Sequence, residues 1–377
     1  MLVIAGEHSG DQHAARMVAG LKRLHPQLRI TALGGAALRE AGAQLLWDLT
    51  ELSVVGFVEV LKHYRLFKAL FEATVRWIQE YQPRCVCFVD YPGFNLRLAE
   101  RLWKEGLTRK GGGSIRALYY ISPQVWAWKS GRRFQMARWL DALAVIFPFE
   151  VDFFKDTDLP VNFVGHPFVS ESFKLSVRYD KEGPLLLLPG SRQAAVGRIF
   201  PQMLAALERR LRDYPEQQAL AVYPDPKIRE LLEHLITQQP PQVRERIHLV
   251  PHTTPAAGSV VLTSSGTMSL ACALAGVPGA IVYRAHPFTY FWARRLVKVP
   301  FLGIANLLLK QPIYPEYIQG QAQPMRLADE IRACLEDRER LAVTQRAAAD
   351  LHAELGNEGA LSPEAWLESN GINGSSA

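Results

Sequence analysis

The fold is decided by a stretch that reads LVIAGEHSGDQHAARMVAGL over residues 2–21. Leu2–Ala5 is a short apolar run, which is typical of a buried strand, and Gln12–Leu24 has the apolar spacing of a helix. The glycines between them let the backbone approach a ligand, and free N–H groups at a helix start attract anions. A plain turn capped by Ser9 or Asp11 is the alternative. The spacing is not G-x-G-x-x-G, so the dinucleotide fingerprint is absent.

The same alternation of apolar runs and helical patterns continues and starts again after the polar stretch Ser170–Gly183. The predicted strands are Leu2–Ala5, Arg29–Leu33, Arg84–Val89, Arg116–Ile121, Ala142–Ile146, 160–164, Leu185–Leu188, Leu220–Tyr223, Ile247–Val250, Ser259–Leu262 and Gly279–Tyr283. Buried strands separated by helices predict an α/β fold with two doubly wound parallel sheets. We expect domains at 1–170 and 184–344, and a C-terminal helix within 345–370 that packs back on the first domain.

The composition describes a globular protein. The 377 residues are 48% hydrophobic and 21% charged, which excludes disordered, collagen-like and coiled-coil classes. A net charge of +6 is too diffuse to argue for nucleic acid, but it suits an anionic small molecule or membrane surface. The chain has no signal-peptide pattern, no membrane-spanning run and no zinc-ligand spacing, so we expect a cytosolic protein without a metal site.

Asp90 is the candidate proton acceptor. It follows a predicted strand in FVDYPGFN, residues 88–95, and ligands bind at the carboxyl ends of strands in open α/β sheets. A carboxylate partly desolvated by Tyr91 and Phe94 could take a proton from a hydroxyl. The alternative is that Asp90 only caps the next helix.

Aromatic and basic side chains share the segment YYISPQVWAWKSGRR, residues 119–133. They are Trp126, Trp128, Lys129, Arg132 and Arg133. Aromatic rings beside cations suit sugar faces and phosphates, although a packing role for the tryptophans is equally open.

Two small-residue loops in the second half favour a nucleotide diphosphate. In LLPGSR, residues 187–192, the amides of Gly190 and Ser191 and the Arg192 guanidinium would hold a pyrophosphate. The loop LTSSGTMS, residues 262–269, enters a helix and offers a second anion site. Simple N-capping turns are the alternative for both.

Residues Ser53–Tyr81 carry more apolar side chains than one helix face needs, with lysines and arginines interleaved. A membrane-surface helix with a basic rim and a pair of buried helices both fit this pattern. The membrane-facing candidates are Val55, Phe57, Val58, Leu61, Leu66 and Phe67.

These motifs, with FPFE at 147–150, VGHP at 164–167, YR at 283–284 and PFT at 287–289, occur in order and resemble the lipid-A-disaccharide synthase family. The resemblance runs from about residue 2 to about 350. It implies the GT-B architecture, in which two Rossmann-like domains face a cleft. It also implies an inverting hexosyltransferase that joins UDP-2,3-diacylglucosamine to 2,3-diacylglucosamine 1-phosphate through a β(1→6) bond and releases UDP. Such an enzyme works on the cytoplasmic face of the inner membrane without a cofactor, and it could be a homodimer.

The resemblance implies roles for individual residues, beginning with Asp90 as the catalytic base. The implied UDP contacts are Gly190, Ser191, Arg192, Ser265, Gly266, Thr267, Tyr283 and Arg284. The implied acceptor or phosphate contacts are Gly6, Glu7, Ser9, Asn95, Trp126, Arg132 and Arg133. A guanidinium and a helix start can carry the diphosphate charge, so no metal is required. Because both substrates carry acyl chains, the membrane-surface interpretation of Ser53–Tyr81 is favoured.

Two positions depart from the family pattern. Ala271 and Ala195 stand where the family usually has acidic residues, which leaves ribose recognition open. The competing hypotheses are another GT-B enzyme, such as a UDP-N-acetylglucosamine 2-epimerase or a peptidoglycan transferase, and a lipid- or nucleotide-binding protein without turnover.

Overall fold

The computed structural model describes residues 1–50, 57–170, 173–286, 290, 299–356 and 359–373, with the side chains of 57–64 left out. The chain forms two compact units. One comprises Met1–Ser170 with Leu355–Ala377, and the other comprises Glu171–Glu354. Each unit is built around its own parallel sheet.

The first unit contains a seven-stranded sheet. Its strands are β1 (Leu2–Ala5), β2 (Thr31–Gly34), β3 (Gln44–Asp48), β4 (Cys85–Val89), β5 (Arg116–Tyr120), β6 (Ala142–Val145) and β7 (Val161–Phe163). The helices are α1 (His8–Leu24), α2 (Ala36–Glu40), α3 (Phe57–Tyr81), α4 (Pro92–Lys104), α5 (Arg132–Trp139) and α6 (Pro148–Phe154). The strand order is β3-β2-β1-β4-β5-β6-β7, and every described pairing is parallel.

The centre of this sheet consists of strands that are apolar on both faces. All residues of β1 and β4 are buried, and Leu2 pairs with Val86 while Ala5 pairs with Val89. Apolar residues on both faces are what a parallel sheet covered by helices requires. The loops that follow β1 and β4 therefore leave the same edge of the sheet side by side, which brings Gly6 and Asp90 together.

The second unit contains a six-stranded parallel sheet in the order β11-β10-β9-β13-β14-β15 and a separate pair, β8 with β12. Its strands are β8 (Val177–Tyr179), β9 (Leu185–Leu188), β10 (Ala219–Tyr223), β11 (Ile247–Pro251), β12 (Ala256–Gly258), β13 (Val260–Thr263), β14 (Gly279–Tyr283) and β15 (Glu316–Ile318). The helices are α7 (Gln193–Asp213), α8 (Pro226–Thr237), α9 (Pro241–Arg244), α10 (Thr267–Leu274), α11 (Ile304–Leu309), α12 (Pro324–Glu336) and α13 (Arg338–Leu355).

The predicted α/β class with two doubly wound parallel sheets is confirmed. The sequence pattern missed β3, which is partly exposed along its length, and it missed β8, β12 and β15, which have only three residues each. It also placed the start of α1 at Gln12, whereas the helix begins at His8. The polar residues of that first turn hide the apolar spacing on which the prediction relied.

The chain returns to the first unit at its end. The last helix, α14 (Pro363–Ser369), packs against α1. His25 Nε2 lies 2.6 Å from Glu368 Oε1 and ties the two helices together. The preceding helix, α13, lies in the second unit up to Glu354. No helix formed by the described residues combines the length and apolar content that crossing a bilayer requires.

Candidate active site

The loop after β1 is held by a close contact and by an aspartate. A Cβ atom on Gly6 would lie 2.1 Å from the Tyr91 ring, so the ring can occupy its place only because residue 6 is a glycine. Asp11 is buried and accepts hydrogen bonds from Gly35 N at 2.6 Å and Ala37 N at 3.0 Å. It therefore anchors the start of α2 and does not cap α1.

Glu7 and Ser9 are exposed at the start of α1, as ligand contacts must be. Glu7 occupies the N-cap position without a capping side-chain hydrogen bond. Its carboxylate is therefore available to act on groups at the neighbouring strand ends.

Asp90 stands directly after β4, next to this loop. Its N–H donates to Tyr120 O at 3.0 Å, so the hydrogen-bonded ladder of the sheet runs up to this residue. Burial, followed by the negative charge of Glu7, raises the pKa of Asp90 to about 6, while a hydrogen bond from the Tyr91 backbone opposes the rise. A carboxylate with such a pKa is ionised at pH 7 and is a stronger base than an ordinary aspartate.

Asn95 was predicted to contact the acceptor, and the structure does not support that role. Its side chain is completely buried. Its Nδ2 donates to Asp90 O at 2.8 Å and lies 3.2 Å from Val89 O. Burial in the first turn of α4 therefore makes Asn95 part of the frame around Asp90 and keeps it from a ligand.

A buried acid, Glu150, holds the indole of Trp126. Its Nε1 donates to Glu150 Oε1 at 3.1 Å, and Phe147 N donates to Glu150 Oε2 at 3.2 Å. Burial raises the pKa of Glu150 to about 8. The partly exposed indole packs edge-on against Phe149, with ring centroids 5.0 Å apart. Glu150 thereby links the segments that follow β5 and β6, a contact that the FPFE motif alone does not reveal.

The cations of the 119–133 segment separate into two groups. Lys129 Nζ lies 4.5 Å and Arg132 Cζ lies 5.9 Å from the centroid of the exposed Trp128 ring. Arg133 instead forms an ion pair with Asp156, with Nε 2.7 Å from Oδ1. A phosphate contact by Arg133, as predicted, would require this ion pair to break.

In the second unit the two small-residue loops meet. Ser264 N donates to Leu188 O at 2.9 Å, and Gly190 is so close to Ser264 that an added Cβ would lie 2.9 Å from its Oγ. Gly190 has a φ of 105°, which a residue with a side chain rarely adopts. Helices α7 and α10 begin directly after these loops, at Gln193 and Thr267. Their starts therefore offer N–H groups at one edge of the sheet.

The predicted UDP contacts around these loops are open to a ligand. Ser191, Arg192, Gly266 and Thr267 are exposed, and Gly190 and Ser265 are partly exposed. Arg192 occupies the N-cap position of α7. A guanidinium beside two helix starts produces a positive potential that suits a diphosphate.

Tyr283 is the last residue of β14 and Arg284 follows it, and two glutamines from distant parts of the chain hold this segment. Arg284 Nη1 donates to the amide oxygen of Gln202 at 2.9 Å. The Gln319 side chain forms two hydrogen bonds to the backbone of Ala285, the residue after Arg284. It accepts from Ala285 N at 2.7 Å and donates to Ala285 O at 3.2 Å. No local pattern could reveal these pairs, because their partners are more than thirty residues apart.

The two departures from the family pattern lie on the helices that begin at these loops. Ala271 is buried within α10, and Ala195 is partly buried in the first turn of α7. Among the described residues, no group of three or more His, Cys, Asp or Glu is placed to hold a metal ion.

The membrane-facing prediction falls mostly outside the described side chains. Val55 lies outside the described residues, and so do the side chains of Phe57, Val58 and Leu61. Residues 287–289 also lie outside them. Leu66 is 46% exposed, and Phe67 is partly exposed.

Comparison with protein families gives one match over nearly the whole chain. A family described as lipid-A-disaccharide synthetase matches residues 1–368. A lipid-A-disaccharide synthase of Nitrosococcus oceani is 36% identical over 356 residues, covering 91% of this chain and 89% of that protein. One of Geobacter sulfurreducens is 35% identical over 380 residues, covering 95% and 94%.

Solved structures share the fold at low identity. A UDP-GlcNAc 2-epimerase from Neisseria meningitidis, bound to UDP-GlcNAc, has a TM-score of 0.61 and 10% identity, with 98% of each chain covered. The calicheamicin glycosyltransferase CalG4 has a TM-score of 0.56 and 16% identity, covering 98% of this chain and 97% of that one. These likenesses support the predicted GT-B class.

Replacing Glu7 by glutamine is expected to lower the pKa of Asp90 from about 6, because a neighbouring negative charge is removed while the shape of the side chain is kept. The measurement is an NMR titration of the Asp90 carboxyl carbon, whose resonance is assigned by its loss in Asp90→Asn. Glu40→Gln removes an exposed carboxylate at the end of α2 and serves as the control. An unchanged pKa of Asp90 in Glu7→Gln would contradict the role of Glu7.

Proposed function

Since the chain belongs to the lipid-A-disaccharide synthetase family, we propose that it condenses UDP-2,3-diacylglucosamine with 2,3-diacylglucosamine 1-phosphate. The products are UDP and a β(1→6)-linked disaccharide 1-phosphate. Membership in the family makes the chain a glycosyltransferase of lipid A synthesis. The assignment of residues to steps is our proposal.

Asp90 is the general base of this reaction. The donor is α-linked and the product is β-linked, so one displacement at the anomeric carbon is sufficient. The acceptor oxygen attacks that carbon while its proton passes to the Asp90 carboxylate and the bond to UDP breaks. The observation that carries this assignment is the position of Asp90 at the strand edge, with burial and Glu7 raising its pKa to about 6.

The second unit takes up the charge of the departing UDP. The groups that do this lie in the two loops that meet or directly after them, and they are Arg192, the amides of Gly190 and Ser191, and the helix start at Thr267. Positioned donors of this kind are each worth roughly 2–4 kcal/mol of transition-state stabilisation. Tyr283 and Arg284, braced by Gln202 and Gln319, extend the donor site along the sheet edge.

Partly or fully exposed groups at the edge of the first unit bind the acceptor. We assign the sugar to Trp126 and the acceptor phosphate to the cations around Trp128, chiefly Arg132. Glu7 and Ser9 lie at the start of α1 on the same edge of the sheet and can accept hydrogen bonds from sugar hydroxyls.

Helix α3 meets the cytoplasmic face of the inner membrane in this proposal. Arg65, Leu66 and Lys68 are exposed together on it, which combines an apolar group with cations that attract anionic lipids. Contact with the bilayer would give the enzyme access to substrates whose acyl chains are buried there. The homodimer stays a prediction, which the molar mass from light scattering would check.

Purified protein given both substrates in detergent is expected to release UDP and form the disaccharide. Asp90→Asn is expected to reduce kcat by at least 100-fold, because the base is lost, while UDP binds as before. The wild-type rate should fall below about pH 6 as Asp90 takes up a proton. Product formation followed by mass spectrometry and UDP affinity by calorimetry are the measurements. A folded wild type without product would favour a binding protein, and a fully active Asp90→Asn would exclude Asp90 as the base.

Arg192→Ala is expected to weaken UDP binding about tenfold or more, because a charge-assisted contact to the diphosphate is lost. Arg198→Ala is the matched control, since Arg198 is partly exposed on the same helix and donates to Ala194 O. Calorimetric titration with UDP gives the affinities. Equal weakening in both variants would point to a general loss of positive charge and contradict a specific contact.

Leu66→Asp is expected to reduce binding to vesicles that contain phosphatidylglycerol, because it adds charge to the apolar part of the membrane-facing surface. Met325→Asp makes the same kind of change at a 57% exposed site in the second unit and should leave vesicle binding unchanged. Flotation of protein with vesicles measures both. Unaltered binding of Leu66→Asp would remove α3 from the membrane contact.

A further inference from the structure

The backbone at the proposed base is unusual. Asp90 has a φ of 47° and Tyr91 has a φ of 46°, so two consecutive residues with side chains occupy the left-handed region. This conformation costs free energy in residues other than glycine and persists only where surrounding contacts enforce it. The conformation at Asp90 also sets the direction of its Cα–Cβ bond, so any relaxation would redirect the carboxylate.

Two buried side chains donate hydrogen bonds to the carbonyl oxygen of Asp90. Tyr119 Oη, from β5, donates to Asp90 O at 2.5 Å. Asn95 Nδ2, from α4, donates to the same oxygen at 2.8 Å. Both side chains are completely buried, so they hold the carbonyl group from a rigid part of the fold.

The chemistry of Asn95 argues against a purely structural role. Its Oδ1 is buried and has no hydrogen-bond partner among the described residues. A buried acceptor without a partner costs free energy, so an apolar side chain of similar size would serve packing better. What Asn95 supplies that an apolar residue cannot is the Nδ2 donor, which lies 2.8 Å from Asp90 O, 3.2 Å from Val89 O and 3.3 Å from Ile4 O. The shortest of these contacts is the one to Asp90.

We propose that Tyr119 and Asn95 are positioning residues that hold the Asp90 backbone in its left-handed conformation and so aim the catalytic carboxylate. The inference rests on the proposed function, because it takes Asp90 to be the base. Both side chains are buried and act through the carbonyl group of Asp90.

The pKa of Asp90 depends on burial and on the titratable groups around it, so it should change if the carboxylate is misplaced. Glu7 faces it from the start of α1, Tyr119 from β5, and Tyr91 from the start of α4. Desolvation is the main cause of its raised pKa, so a carboxylate that turns toward water should have a lower pKa.

The first test is Tyr119→Phe, which removes the hydroxyl and keeps the ring. We expect kcat to fall about tenfold, because a base displaced by a fraction of an ångström takes up the proton less efficiently. The KM for the acceptor and the affinity for UDP should stay within about twofold of wild type, and the acid limb of the pH–rate profile should move to lower pH. The control is Tyr120→Phe, which removes the hydroxyl of the next residue, whose side chain points to the other face of the strand.

The second test needs no activity. Glycine adopts a positive φ freely and alanine does not, so Asp90→Gly is expected to melt several degrees above Asp90→Ala. At a position with ordinary backbone angles the order would be reversed. Thermal unfolding followed by circular dichroism gives both melting temperatures.

The outcomes separate the two proposals. An active wild type, an inactive Asp90→Asn and a Tyr119→Phe variant equal to wild type would overturn the positioning role alone. An Asp90→Gly variant that melts below Asp90→Ala would overturn it as well. A fully active Asp90→Asn would instead overturn the role of Asp90 as the base, whatever Tyr119→Phe does.

Discussion

Two hydrogen bonds from buried side chains to the carbonyl oxygen of Asp90 hold the backbone where β4 has ended and the proposed site begins. The ladder of β4 continues to the N–H of Asp90, and the chain then turns sharply into α4. Tyr119 and Asn95 fix that turn from the buried side. The Tyr91 ring fits the loop after β1 because Gly6 has no side chain. A strained backbone, two buried donors and one glycine therefore act together to place a single carboxylate.

Electrostatics differ between the two units, and the difference matches the proposed chemistry. In the first unit burial, followed by the negative charge of Glu7, raises the pKa of Asp90 and makes its carboxylate more basic. In the second unit the described groups where the loops meet are helix starts and the Arg192 guanidinium, which attract negative charge. Abstraction of a proton and departure of a diphosphate require these opposite environments.

Several motif residues hold segments that are distant from them in the sequence. Asp11 follows the loop after β1 but anchors the start of α2, which comes after another strand. Glu150 belongs to the short helix after β6 and holds the indole of Trp126, in the loop after β5. Such residues connect neighbouring strand ends, so a change in one of them alters a loop to which it does not belong in sequence.

The sequence by itself determined the α/β class, most of the strands, Asp90 at a strand end and the two small-residue loops that lead into helices, because apolar runs and small-residue turns are local signals. It could not assign Asn95, which was predicted to contact the acceptor and is buried beneath Asp90. It also could not find the contacts of Gln202 and Gln319 or the ion pair that occupies Arg133. Whether a polar side chain faces a ligand or the protein depends on which distant segments pack against it, and only the tertiary structure decides that.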